Sequence, residues 1–307
     1  IHGSVPHKIL FKTYKTLVIN TFEKFLEDEM LTYGAALSFF MIFGLPPFLI
    51  LLIWGTSFFL DGVMIQERIL SEALRLGGSQ ARDVIETILS NMTAPDPSNF
   101  FTMSLNASLL FFTASGAILQ LQHTLNKAWG IKLKKRGRIK SFSVLMRKRL
   151  RSVVLLFTCS MALVSLLIID GLIAILRSTV GARWGILQDL HFFRNMSLSL
   201  AGVFLVFLMA CIFKFLPDVK LSWSDVLPGA LLTSAILASS RYIVGVYLAH
   251  YSMGSAYGAA GSTVVFVLWL FLNVLILLWG SEFSVVYFKH KGKTLLLNKY
   301  AKLQGDV

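Results

Sequence analysis

Thr113, Gly116, Gln120, His123 and Lys127 recur at three- and four-residue steps along one stretch of this chain. Ser115, Gln122 and Asn126 form a second stripe, about 120° round the same helix. Amides, hydroxyls and an imidazole aligned this way either bond to neighbouring helices or line a polar cavity, and both uses remain open. Two full charges, Arg241 and Glu282, also stand inside apolar runs. Such side chains are expensive in hydrocarbon, so they turn toward the protein interior or a wet path.

Depth separates these two charges. Counted from Asp225, Arg241 lies about 24 Å along its helix, in the outer part of a membrane. Glu282 is seven residues before Lys289 and so lies about 10 Å inside the opposite boundary. A direct Arg241–Glu282 pair is not expected. Tyr33, Gln122, His123 and Asn126 fall at the depth of Glu282, and a polar cluster is expected there. It either opens to a substrate or locks the bundle.

The elements that must hold these residues are membrane spans. The 307 residues are 55% hydrophobic, beyond the range of an ordinary soluble domain. Six stretches reach the roughly 20 apolar residues that a crossing requires: 33–60, 101–126, 151–176, 194–216, 225–249 and 259–287. The expected fold is all-α, a polytopic bundle of six transmembrane helices over residues 31–288. No stretch reads as a cleaved signal peptide, because the first apolar run follows Glu27, Asp28 and Glu29. Residues 127–151 hold 11 Lys and Arg and the tail 289–307 holds 5, against 3 in each of 61–100 and 177–194 and none in 250–258. The positive-inside rule then makes both termini and the 127–151 loop cytoplasmic.

The net charge of +13 and the run KLKKRGRIKSFSVLMRKRLR invite a nucleic-acid reading. Topology already demands positive charge at that place, and such clusters attract anionic lipid headgroups, so membrane lipids and not nucleic acid are the expected partners. Cys159 and Cys211 lie inside spans without a CxxC pattern, so packing is their expected role. Neither a metal nor another cofactor is implied.

Two amphipathic additions flank the bundle. Within 1–30, Phe11, Tyr14, Val18, Phe22 and Phe25 recur at helical spacing, which predicts a helix lying on the cytoplasmic surface with Lys8, Lys12 and Lys15 toward headgroups. Within 61–100 the pattern predicts an extracytoplasmic helical hairpin, ended at Gly77–Gly78 and restarted at a Ser79 cap. It is either a lid packed on the bundle or a mobile gate. Pro46 and Pro47 should kink the first span. Pro217 ends the fourth, with Ser222 or Ser224 capping the fifth.

Four stretches, YGAALSFFMIFGLPPFLILL, LQHTLNKAWGIK, FKFLPDVKLSWSDVLPGALL and YGAAGSTVVFVLWLFLNVLILLWGSEF, occur in this order. Their pattern, above all Leu125-Asn126 with Trp129, Leu216-Pro217-Asp218, Pro228-Gly229-Ala230 and Gly280-Ser281-Glu282, resembles the YihY/BrkB family of bacterial inner-membrane proteins. The resemblance covers about residues 20 to 288. It departs at Phe39-Phe40, where many relatives carry tyrosine, and at the doubled Pro46-Pro47. The family once carried a ribonuclease label, but the histidines at 2, 7, 123, 191, 250 and 290 are scattered along the chain and form no set for metal-dependent hydrolysis.

No enzyme is expected. The resemblance implies an inner-membrane transporter or flippase-like protein that handles a lipid or other amphiphile for the cell envelope. Arg241 would meet an anionic headgroup, Gln120, Gln122 and His123 would line the route, and Glu282, Asn126 and Tyr33 would form a cytoplasmic polar site. No P-loop is present to supply ATP. Two alternatives stand beside this reading: a non-transporting scaffold that recruits envelope-assembly proteins, and a small-solute or ion transporter.

Overall fold

Apolar runs of this length leave the backbone one economical choice, because in hydrocarbon every N–H and C=O must be satisfied within its own segment. The computed structural model describes residues 7–56, 62–91, 100–133, 190–250, 261–297 and 301–303. Seven helices occur among them: α1 (His7–Glu27), α2 (Met30–Thr56), α3 (Gly62–Asn91), α4 (Phe100–Ala128), α5 (Leu190–Phe215), α6 (Trp223–His250) and α7 (Gly261–His290). The stretches Met30–Ile50, Ser104–Ala128 and Gly261–His290 are long and apolar enough to cross a membrane, and Gly202–Phe215 is a shorter apolar stretch. The chain is therefore a helical membrane protein. The expected fourth and fifth spans coincide with helices α5 and α6. The expected third, 151–176, and most of the 127–151 loop lie outside the described residues, as do Cys159 and the side chain of Arg241.

Local chemistry ends and starts these helices. Pro217, two residues past α5, cannot continue it. Ser222 precedes α6 and forms a reciprocal cap: the Ser222 N–H and hydroxyl both donate to the Asp225 carboxylate, at 3.1 and 2.6 Å, and the Asp225 N–H donates to the Ser222 carbonyl. Helix α3 is broken at Gly78 (φ 74°, ψ −167°), a conformation that glycine adopts without a side-chain clash, so two helical segments meet there. A Cβ on Gly77 would lie 3.5 Å from the Trp269 ring of α7, so this break rests on the bundle. Pro46 and Pro47 lie inside α2, which continues through them to Thr56.

Helix α2 packs on α4, α3 and α7, and α6 packs on α5 and α7. The dense core sits toward one end, where α4, α5 and α7 finish and α2 and α6 begin. Met30, Leu125, Phe213, Val226, Leu278 and Val285 are fully buried there. Trp129, just past α4, meets the Phe288 ring edge-on at 5.3 Å. The chain beyond α7 closes this end with two short antiparallel pairings. β3 (Leu296–Leu297) pairs with β2 (Val219–Lys220), and β4 (Ala301–Leu303) pairs with β1 (Ile131–Leu133).

Of the expected apolar stripe of α1, Phe25 turns into the bundle, and the side chains of Phe11 and Tyr14 lie outside the described residues. Leu17, Thr21 and Phe25 are the buried stripe, packed toward α7, whereas Val18 and Phe22 are 45% and 57% exposed. The spacing rule found a helix but could not choose between two apolar stripes on it.

Candidate functional site

The crossing of α6 and α7 positions the rest of the closed end. Gly229 and Gly280 face each other's helices so closely that a Cβ on Gly280 would lie 1.6 Å from Thr233 Oγ1, and one on Gly229 would lie 1.9 Å from Ser284 Oγ. Thr233 and Ser284 each donate back to a carbonyl one turn earlier, Gly229 O at 2.7 Å and Gly280 O at 3.1 Å. Small residues four apart on both helices thus let the two backbones touch. Glu282 follows directly on α7 and is carried into the interior with no exposed surface.

Its partner is Lys24 of α1, at 2.9 Å, and Lys24 also pairs with Asp28 one turn on. Among the described residues neither Glu282 oxygen receives a hydrogen bond of good angle, so the contact is a charge pair more than an aligned bond. Burial by itself would lower the Lys24 ammonium, but the carboxylates of Glu282 and Asp28 outweigh it and hold it above the ordinary lysine value.

Asn126 and Gln122 go elsewhere. The Asn126 amide makes two bonds to Asp218: its Nδ2 donates to the carboxylate at 2.9 Å, and its oxygen accepts from the Asp218 N–H at 2.7 Å. Gln122 reaches the same carboxylate at 3.4 Å. The end of α4 is thereby tied to the turn after α5. Replacing Asn126 with Leu removes both of its bonds to the half-buried Asp218 and should cost about 2 kcal/mol in unfolding free energy. Denaturation of the purified protein in detergent checks this; a loss within error of zero would mean that the two bonds do not hold the ends together.

Tyr33 and His123 form a third group. Their rings lie 5.6 Å apart, and Lys127 stands 4.6 Å over the Tyr33 ring while pairing with Glu29 at 3.2 Å. Glu29 occupies the left-handed region (φ 56°) in the short link between α1 and α2. The expected single cluster is in fact three separate groups, each with its own partners. Lys24, Asp28 and Asp218 were missed because they lie outside the apolar spans, where a charge is unremarkable. Thr233 and Ser284 had a legible signal, a small residue four positions after each glycine.

His123 is exposed, Gln120, Tyr33 and Lys127 are half-buried, and Gln122 and Asn126 are buried. The first α4 stripe runs beside α2, with Phe40 against Gly116 and Gly44 against Thr113. Among the described residues no group of three His, Cys, Asp or Glu side chains is placed to hold a metal.

The profile of the family described as Virulence factor BrkB matches residues 21–302. The chain belongs to the BrkB family. This BrkB-family chain is 24% identical over 269 residues to a UPF0761 membrane protein of Azotobacter vinelandii, covering 85% of the chain and 60% of that relative. It is 28% identical over 109 residues to a UPF0761 membrane protein of Tolumonas auensis, covering 35% of the chain and 34% of the relative. The matches thus span between 34% and 60% of these two curated relatives. The Putative ribonuclease-like protein YfkH of Bacillus subtilis is 20% identical over 280 residues, 88% of the chain and 94% of that protein. No solved structure matches the chain. Each motif of the family resemblance has a partner in this fold: Asn126 bonds Asp218, and Gly229 packs on the Gly280 turn.

Proposed function

We propose that this BrkB-family protein moves an amphiphile with a polar headgroup across the bacterial inner membrane, along the seam between α2 and α4. The observation that carries this reading is the C-terminal part of the first α4 stripe, which emerges at the edge of the α2 contact. Gln120, His123 and Lys127, with Tyr33 of α2, reach the surface of the described residues on a helix long enough to cross a membrane. Polar groups directed outward at such a seam gain from a partner that is itself polar and can enter from the lipid side, and a headgroup is such a partner.

Glu282, Asn126 and Gln122 do not serve as direct ligands in this reading. Their side chains are buried in contacts that hold α1, α4, α5 and α7 together. Arg241 keeps its proposed role at the outer half through its position on α6. The test is reconstitution into liposomes carrying fluorescent phospholipid, with loss of the outer-leaflet signal followed after addition of a reductant. The Gln120→Leu, His123→Leu double variant is expected to slow transbilayer movement about tenfold while leaving the fold intact, the scale of two lost polar contacts. Movement in wild-type vesicles no faster than in protein-free ones, across several lipids, overturns the reading.

A non-transporting scaffold is favoured by one other observation. Helix α3 carries exposed Glu67 and Arg68 before its break and Arg82 and Glu86 after it, charges able to steer and orient a protein partner. Under that reading, charge reversal on α3 abolishes complementation while the α4 double variant does not.

A further inference from the structure

Helix α1 has three faces rather than two. Leu17, Thr21, Lys24 and Phe25 point into the bundle. Roughly 120° round the helix lie Val18, Ile19, Phe22 and Leu26, each between 45% and 57% exposed, with exposed Lys15 in the same sector. The third sector is polar and exposed: Asn20, Glu23 and Glu27. The division is sharp. An apolar stripe bordered by a strongly polar face is what a helix in the plane of a membrane surface presents.

Two constraints say what covers the stripe. The apolar stretch of α2 begins at Met30, so only Asp28 and Glu29 separate the end of α1 from a span. The second constraint is the Lys24–Glu282 pair, which pins α1 beside the last turns of α7, also of membrane-crossing length. α1 is therefore held where two spans leave the hydrocarbon.

We propose that Val18, Ile19, Phe22 and Leu26 of α1 dock into the lipid at the headgroup–acyl boundary, so that the bilayer itself presses α1 over Glu282. The docked face closes on the carboxylate from the protein side and the lipid holds α1 in place from the other. Glu23 and Glu27 remain in water. The face that meets lipid is the one turned away from α7, so Phe25, counted in the expected lipid-facing stripe, instead belongs to the core.

The experiment uses the full chain in a Cys159→Ser, Cys211→Ser background, with Phe22→Cys or Glu23→Cys carrying an environment-sensitive fluorophore. Both variants are reconstituted into phosphatidylcholine vesicles containing a lipid with a nitroxide near the headgroup end of its acyl chain. The label at residue 22 should be quenched at least about threefold more than the label at residue 23, because one lies in the acyl boundary and the other in water. Equal quenching at the two positions overturns the proposal. So does energy transfer between differently labelled copies at residue 22 that persists on dilution with lipid, since the stripe would then be covered by a second copy of the chain. A matched thermal unfolding profile for both variants confirms that they report on the folded protein.

Discussion

Glu282→Ala lowers the unfolding free energy of the detergent-solubilised protein by about 3 kcal/mol, the low end of the cost of removing one member of a buried ion pair. The low end applies because Lys24 retains 18% of its side-chain surface and keeps Asp28 as a partner. What remains is still a cation in a site that penalises it, beside Leu17, Phe25 and the end of α7. Replacing both partners with apolar residues of similar volume, Lys24→Met with Glu282→Leu, should recover most of the loss, since neither charge is then left unpaired. Thermal and chemical denaturation of the two single variants and the double variant measure the coupling. Additive losses, with no recovery in the double variant, would show that the pair is not what holds α1 against α7.

Gly280→Ala has an effect of comparable size for a different reason. The added methyl would meet Thr233 Oγ1 at 1.6 Å and Thr233 Cβ at 2.9 Å, so α6 and α7 must separate. Overpacking of this kind costs about 3 kcal/mol. Gly229→Ala should behave alike, because its methyl would meet Ser284 Oγ at 1.9 Å and the Gly280 carbonyl at 2.7 Å. A Cβ on Gly202 meets nothing within 4 Å, so Gly202→Ala serves as the control. It should be neutral or stabilising by up to about 1 kcal/mol through helix propensity. Thr233→Ala in the Gly280→Ala background removes the nearest atom and should restore part of the stability. If Gly280→Ala melts like the wild type, the close crossing is wrong.

These two sites also show how legibility varied along the chain. The helical class, the position of α7 and a serine cap at 222 or 224 were readable, because apolar length and capping chemistry act over a few neighbouring residues. The break at Gly78 was readable to within a residue for the same reason. The depth of Glu282 could be counted residue by residue from Lys289. Its company could not, since residues at one depth share no particular direction round the bundle.

The sequence by itself determined that this is a helical membrane protein of the BrkB pattern, where its described helices run, and how far along its helix each polar residue lies. Only the tertiary structure decided that Glu282 meets Lys24, that Asn126 and Gln122 meet Asp218, and that Tyr33 and His123 meet Lys127 and Glu29. The physical reason is that rise along a helix is a local property of the backbone, whereas azimuth is set by which helices touch. Between α6 and α7 that choice rests on atoms that are missing, the absent side chains of Gly229 and Gly280.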